Sequence, residues 1–198
     1  MLTMAAARIE ELAARVGALE RLETPLVPRP DNLYYEDFRV PVTAINPPGA
    51  ASDPTFDTTY IGYLFSASAT NLLFIIVQMP HAWAEGTDIE PHVHWMPTNT
   101  NTGNVLWRLE YEWNNIGAVQ SGTFTTVNKT QAGAGVAYTH QLASFGTISG
   151  AGKTASSILS VKLSRIGGDA SDTYNAAALL KEFDLHYAVD SFGESALP

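Results

Sequence analysis

His92 and His94 have the most pointed spacing for chemistry in this chain. They stand two apart in a stretch, residues 90–96, that reads as a β-strand, so both imidazoles project from one face. Two imidazoles on one face are the beginning of a metal site. A catalytic centre also needs a carboxylate, and residues 95–99, just downstream, contain none. Asp88, Glu90 and Asp184 are acidic, but spacing does not fix their separation, and no nucleophile–base arrangement accompanies them. His140 and His186 stand in unrelated contexts. Two readings of the pair stay open. Either His92 or His94 holds a structural ion on a three-fold axis, with three chains supplying the ligands, or both are hydrogen-bonded residues where a turn runs into a strand.

Other candidates are weaker. Gly86, five intervening residues and then His92-x-His94 resembles the opening of the cupin metal motif. The pattern then departs: the following Glu is missing, and so is the second motif, a Pro-x-Gly followed by His. A cupin-like metalloprotein is therefore the least favoured reading. Gly150-Ala151-Gly152-Lys153-Thr154 looks like the end of a phosphate-binding loop, but Thr147 stands where that motif needs Gly. Residues 156–165 also read as a strand rather than the required helix, which leaves a Gly/Ser turn. Trp95, Trp107, Tyr111 and Trp113 offer surfaces for sugars, yet alternating strand positions belong more naturally to a core or an interface.

The elements that must position these residues are strands. Alternation or β-branched and aromatic runs mark residues 34–42, 60–65, 72–79, 90–96, 105–113, 123–127, 136–140, 158–166 and 182–189. Turn chemistry separates several of them, as at Asn46-Pro47-Pro48-Gly49 and Ser52-Asp53-Pro54. At 105–113, Val105, Trp107, Leu109, Tyr111 and Trp113 share one face. Strands so closely spaced, with no helix between them, predict an all-β domain, a jelly-roll-like β-sandwich. No internal repeat is present, which argues against a propeller.

Ahead of that domain, apolar residues fall at Leu2, Ala5, Ile9, Leu12, Val16 and Leu19, in steps of three and four. This is the seam of a short coiled-coil helix. Arg15 at g can reach Glu20 at e of a parallel neighbour. The predicted trimer interface is therefore Ile9, Leu12, Arg15, Val16, Leu19 and Glu20. Ile/Val at a with Leu at d also suits two strands, so dimer and trimer both fit the seam. So short a helix is marginal alone, so the following domain must also contribute to association. The chain divides into a coiled-coil helix at 1–23, a Pro-rich linker at 24–31 and a β domain at 32–198.

The chain has 198 residues and a net charge of −9, which argues against phosphate-directed nucleic-acid binding. It has no cysteine, which excludes disulfides and thiolate metal sites. No apolar run reaches the ~20 residues of a membrane helix, and the first residues show no signal pattern. No cofactor is expected beyond the axial ion, and no enzyme activity.

Residues 77–95, from Val77-Gln78-Met79-Pro80-His81 through Glu85-Gly86-Thr87-Asp88-Ile89 to Pro91-His92-Val93-His94-Trp95, resemble a segment of tailed-bacteriophage structural proteins. Residues 181–193 are similar to the closing strand of that family. The resemblance implies a homotrimeric component of the virion surface, made in the host cytoplasm: a head fibre or decoration protein, or a small collar or tail fibre. Its partners would be a major capsid, neck or tail protein. Host-surface contact would run through loops such as 99–104 or 131–135. A separate alternative is a carbohydrate-binding module that holds a host-surface glycan through loop and strand aromatics.

Overall fold

The computed structural model describes residues 34–45 and 47–190. The predicted interface residues Ile9, Leu12, Arg15, Val16, Leu19 and Glu20, and the Pro-rich linker, lie outside them.

Among the described residues the chain forms ten strands: β1 (Tyr34–Pro41), β2 (Thr55–Asp57), β3 (Gly62–Phe65), β4 (Thr70–Gln78), β5 (Ile89–Pro97), β6 (Asn104–Asn114), β7 (Thr125–Ala132), β8 (Gln141–Ser144), β9 (Ile158–Ile166) and β10 (Ala178–Val189). All pairings are antiparallel. One sheet runs β2-β3-β10-β5-β8, with β1 also on β10; the other runs β4-β9-β6-β7. From β3 onward, every step along the chain crosses to the opposite sheet except β6 to β7. That winding is a jelly roll, as the sequence predicts.

The core is the inner face of both sheets. Val93, Trp95, Phe183 and Leu185 meet Leu73, Val77, Leu109, Val161 and Leu163, all fully buried or nearly so. Trp107 bridges the layers, with its ring 5.3 Å from Phe65 and 6.1 Å from Trp95. The aromatic stripe of β6 is thus core. A sugar-stacking role for Trp95, Trp107 and Trp113 is excluded by their burial.

Three expectations are corrected. Residues 136–140 do not form a strand: the chain turns there, with Tyr138 at φ 59, and the strand begins at Gln141. β7 starts at Thr125 and continues through the polar residues to Ala132, because its edge position leaves most of its side chains in solvent, where polar types fit. β3 starts at Gly62 rather than Tyr60, since Ile61 takes a left-handed φ of 54 that ends the extended run.

One irregularity matters for function. β10 pairs Leu180 with Trp95 and Glu182 with His94, so Lys181 is an extra residue, a β-bulge. Before it, Ala178 and Leu180 face the core; after it, Phe183, Leu185 and Tyr187 do. The bulge switches the parity of the strand. It thereby puts Glu182, Asp184 and His186 on the outer face of the six-stranded sheet.

Candidate functional site

On β5, Ile89, Val93 and Trp95 point into the core, so His92 and His94 share the outer face, as their spacing predicts. β10 runs beside β5, pairing His92 with Asp184 and His94 with Glu182. β1 lies on the far side of β10, pairing Asp37 with His186 and Arg39 with Asp184. β8 flanks β5 on the other side, with Ser144 opposite His92. Four strands distant in sequence, with His140 just ahead of β8, thus bring four of the five histidines and several carboxylates together.

Asp184 is the hub. His92 Nε2 lies 2.7 Å from its Oδ1, and His94 Nε2 lies 3.1 Å from its Oδ2. His92 and Asp184 are buried on what is formally an outer face, with side-chain exposures of 2% and 4%, while His94 keeps 22%. The Nδ1 atoms point elsewhere. His92 Nδ1 donates to the Glu90 carbonyl at 3.3 Å, and His94 Nδ1 bonds His140 Nε2 at 2.6 Å. A ring whose Nδ1 is held by an outer partner turns its Nε2 inward, the arrangement seen around metal-ligating histidines. The Oδ1 contact is short but not aligned as a hydrogen bond, and Asp184 Oδ1 is a buried acceptor without a donor. Burial pushes the His92 imidazole down, but the Asp184 carboxylate outweighs this and holds the ring above its ordinary value.

A second cluster adjoins the first. His186 Nε2 contacts Asp37 Oδ1 at 2.6 Å, both about half exposed, and the His186 ring packs edge-on against His92 at 4.3 Å. Beside it, Arg39 grips Glu182 through Nε at 2.5 Å and Nη2 at 2.8 Å. Ser144 Oγ donates to Glu90 at the β8 side.

These residues border an open cleft of about 440 Å³, whose lining includes Arg39, His94, His140, Lys181, Glu182 and Asp184. Two tyrosines are tied to this lining. Tyr60 and Tyr138 lie face to face, with centroids 3.9 Å apart and planes 14° from parallel, and both remain partly exposed. The cleft residue Lys181 donates through Nζ to the Tyr60 and Ile61 carbonyls, the latter at 2.6 Å. Tyr138 donates its backbone N–H to Pro97 at 2.6 Å, next to the cleft residue Met96, and it is two residues from His140.

The structure therefore joins what the sequence left apart. The carboxylate missing downstream of His94 is Asp184 of β10, and His140 and His186 belong beside His94 and His92 rather than in unrelated contexts. Tyr60, Tyr138 and Asp37 carried no sequence signal, because the β1–β10–β5 pairing and the loop contacts that gather them are tertiary. Of the remaining acids, Asp88 caps a turn by accepting from Gly150 N at 3.3 Å. Gly150 is a site of close approach: a Cβ there would lie 1.9 Å from the Thr87 carbonyl oxygen. Residues 150–154 lead into β9, so no phosphate-binding helix follows.

No family model matches the sequence, and no curated protein matches it. Among solved structures, the chain is similar to "CBM35 from Cellvibrio japonicus Abf62", at 10% identity over 79% of this chain and 98% of that one, TM-score 0.43. It is also similar to "Xyl-CBM35 in complex with glucuronic acid containing disaccharide", at 9% identity over 74% of this chain and 90% of that one, TM-score 0.41.

Proposed function

We propose that the β domain is a non-catalytic glycan-binding module. The observation that carries this is a stacked, partly exposed tyrosine pair tied through Lys181 to a cleft lined largely by polar side chains. A pyranose presents an apolar C–H face and a rim of hydroxyls. The face needs an aromatic surface, and the hydroxyls need fixed donors and acceptors. Tyr60 and Tyr138 supply the first; Arg39, Glu182, His140 and Lys181 supply the second.

The test is a glycan array followed by calorimetry on the hits. Tyr138→Ala and Tyr60→Ala should each lower affinity at least about tenfold, since loss of one stacking contact is worth on the order of 1.5 kcal/mol. Circular dichroism should show the fold intact. An array without hits, or variants that bind like the parent, would remove the reading.

A second reading places this module on a phage particle, as the head of a trimeric fibre or decoration protein. Its support is the heptad spacing of residues 2–19 and the resemblance of residues 77–95 and 181–193 to virion structural proteins. The two readings are compatible, because a surface fibre that holds a host glycan needs both an anchor and a binding head. The solution mass at micromolar concentration decides the trimer: a lone subunit would end this part of the proposal.

A further inference from the structure

We propose that His92, His94 and Asp184 form a mononuclear site for a divalent transition-metal ion within a single chain. The proposal is independent of glycan binding.

The donor atoms already converge. One atom from each of the three side chains falls within a sphere of contacts no wider than 4.8 Å. First-row ions bound at about 2.0–2.2 Å bring their ligand atoms to separations of this order. The His92 Nε2 to Asp184 Oδ1 distance of 2.7 Å is short for two atoms that share no aligned hydrogen bond. An ion between them resolves that contact and satisfies an otherwise orphaned buried oxygen, which costs stability while it lacks a partner.

The outer partners are in place as well. The Glu90 carbonyl holds His92, and His140 holds His94, each through Nδ1. Both Nε2 atoms thereby face the same carboxylate, where a bound ion would take the place of their protons. The strands fix the backbone of all three ligands, and the bulge at Lys181 sets the face on which Asp184 emerges.

The donor set selects the ion. Two imidazoles and one carboxylate suit Zn²⁺, Co²⁺ or Ni²⁺, whereas Ca²⁺ and Mg²⁺ favour all-oxygen shells. Three protein ligands leave a position for water or an incoming oxygen donor. His94 and Asp184 line the cleft, so that position faces it. The neighbouring set Asp37, His92 and His186 shares His92 and cannot be filled at the same time. It is the weaker candidate, because Asp37 and His186 are half exposed and already paired.

The experiment uses the full chain, stripped with a chelator and titrated with Zn²⁺ alone by calorimetry, with Co²⁺ as a visible-absorption probe. The expected result is one Zn²⁺ per chain, a rise in Tm on binding, and no response to Ca²⁺ or Mg²⁺. Asp184→Asn keeps the side-chain shape and should weaken Zn²⁺ binding at least tenfold. His94→Gln, at a more exposed position, should do the same and serves if the Asp184 variant does not fold. His186→Ala should bind like the parent. Three results would each overturn the proposal: no uptake, one ion per three chains, or unchanged affinity in both Asp184→Asn and His94→Gln.

Discussion

Arg165 of β9 and Asp172 form an ion pair in which neither side chain is exposed, with Nη2 2.7 Å from Oδ1 and Nε 2.9 Å from Oδ2. The other guanidinium hydrogens go to the Phe65, Ala176 and Tyr174 carbonyls at 3.0, 2.6 and 2.5 Å. Asp172 Oδ2 also accepts from Leu106 N. Every donor is satisfied, so the buried charge is tolerated. Asp172→Ala strands it and should cost about 3–5 kcal/mol in urea denaturation. Replacing both residues with apolar ones should recover only part of this, because three carbonyls lose their donor. A loss below about 1 kcal/mol for Asp172→Ala would show that the pair is solvated.

Glu112 ties the loop after β6. It accepts from Ser121 N at 2.6 Å, Ser121 Oγ at 2.9 Å and Gly122 N at 3.1 Å. Burial raises its pKa, but these bonds and Asn114 outweigh it, so the carboxyl sits below its usual range. A lowered folded-state value means the charged form stabilises the fold. That contribution is complete above the ordinary Glu pKa, about 4.3, and is lost as pH falls through the lowered value. Glu112→Gln should therefore be less stable than the parent at neutral pH, and the gap should close on acidification. Denaturation midpoints measured from pH 7 downward decide it; a gap that does not change with pH rules out this role for the charge.

Ile61, next to the stacked Tyr60, holds φ at 54, which is unfavourable for a β-branched residue. The strain is worth about 1–2 kcal/mol, against about 0.5–1 kcal/mol for the extra chain entropy of glycine. The residue is 54% exposed, so little burial is lost on truncation. Ile61→Gly should thus raise stability slightly, by a few degrees in Tm at most. A clear fall in Tm would mean that the side chain holds the loop.

The parts of this fold that were legible from sequence share one property: their signal is local. The alternation at 105–113 and 158–166 marks β6 and β9 because each strand buries one face, and Arg165 already stands in the apolar register of 159–165. His92 and His94 share a face because strand periodicity alone requires it. The third member, Asp184, lies ninety residues from His94, and only the β10–β5 pairing brings them together. The tyrosine pair joins two loops whose conformations depend on left-handed φ at Ile61 and Tyr138, neither a residue type that announces it. Strand β2 is three residues long, too short for a period to show.

The bulge at Lys181 makes the sharpest test of how the site is built. Phe183, Leu185 and Tyr187 face the core, and Asp184 and His186 face outward, because Lys181 bulges out of the pairing between Leu180 and Glu182. Deleting Lys181 sets Leu180 and Glu182 side by side opposite the adjacent residues Trp95 and His94, so β10 can run on as a regular strand with Phe183 and Leu185 still in the core and Asp184 still outward. The deletion should therefore still unfold cooperatively and still present Asp184 beside His92 and His94. Lys181→Ala keeps the residue count and loses only the bonds to the Tyr60 and Ile61 carbonyls. It should cost no more than about 1–3 kcal/mol and leave Zn²⁺ uptake unchanged. Thermal melts and Zn²⁺ titrations of the two variants separate residue count from side-chain chemistry. A deletion variant that no longer melts cooperatively would show that β10 needs the local bend of the bulge and not only the pairing on either side of it.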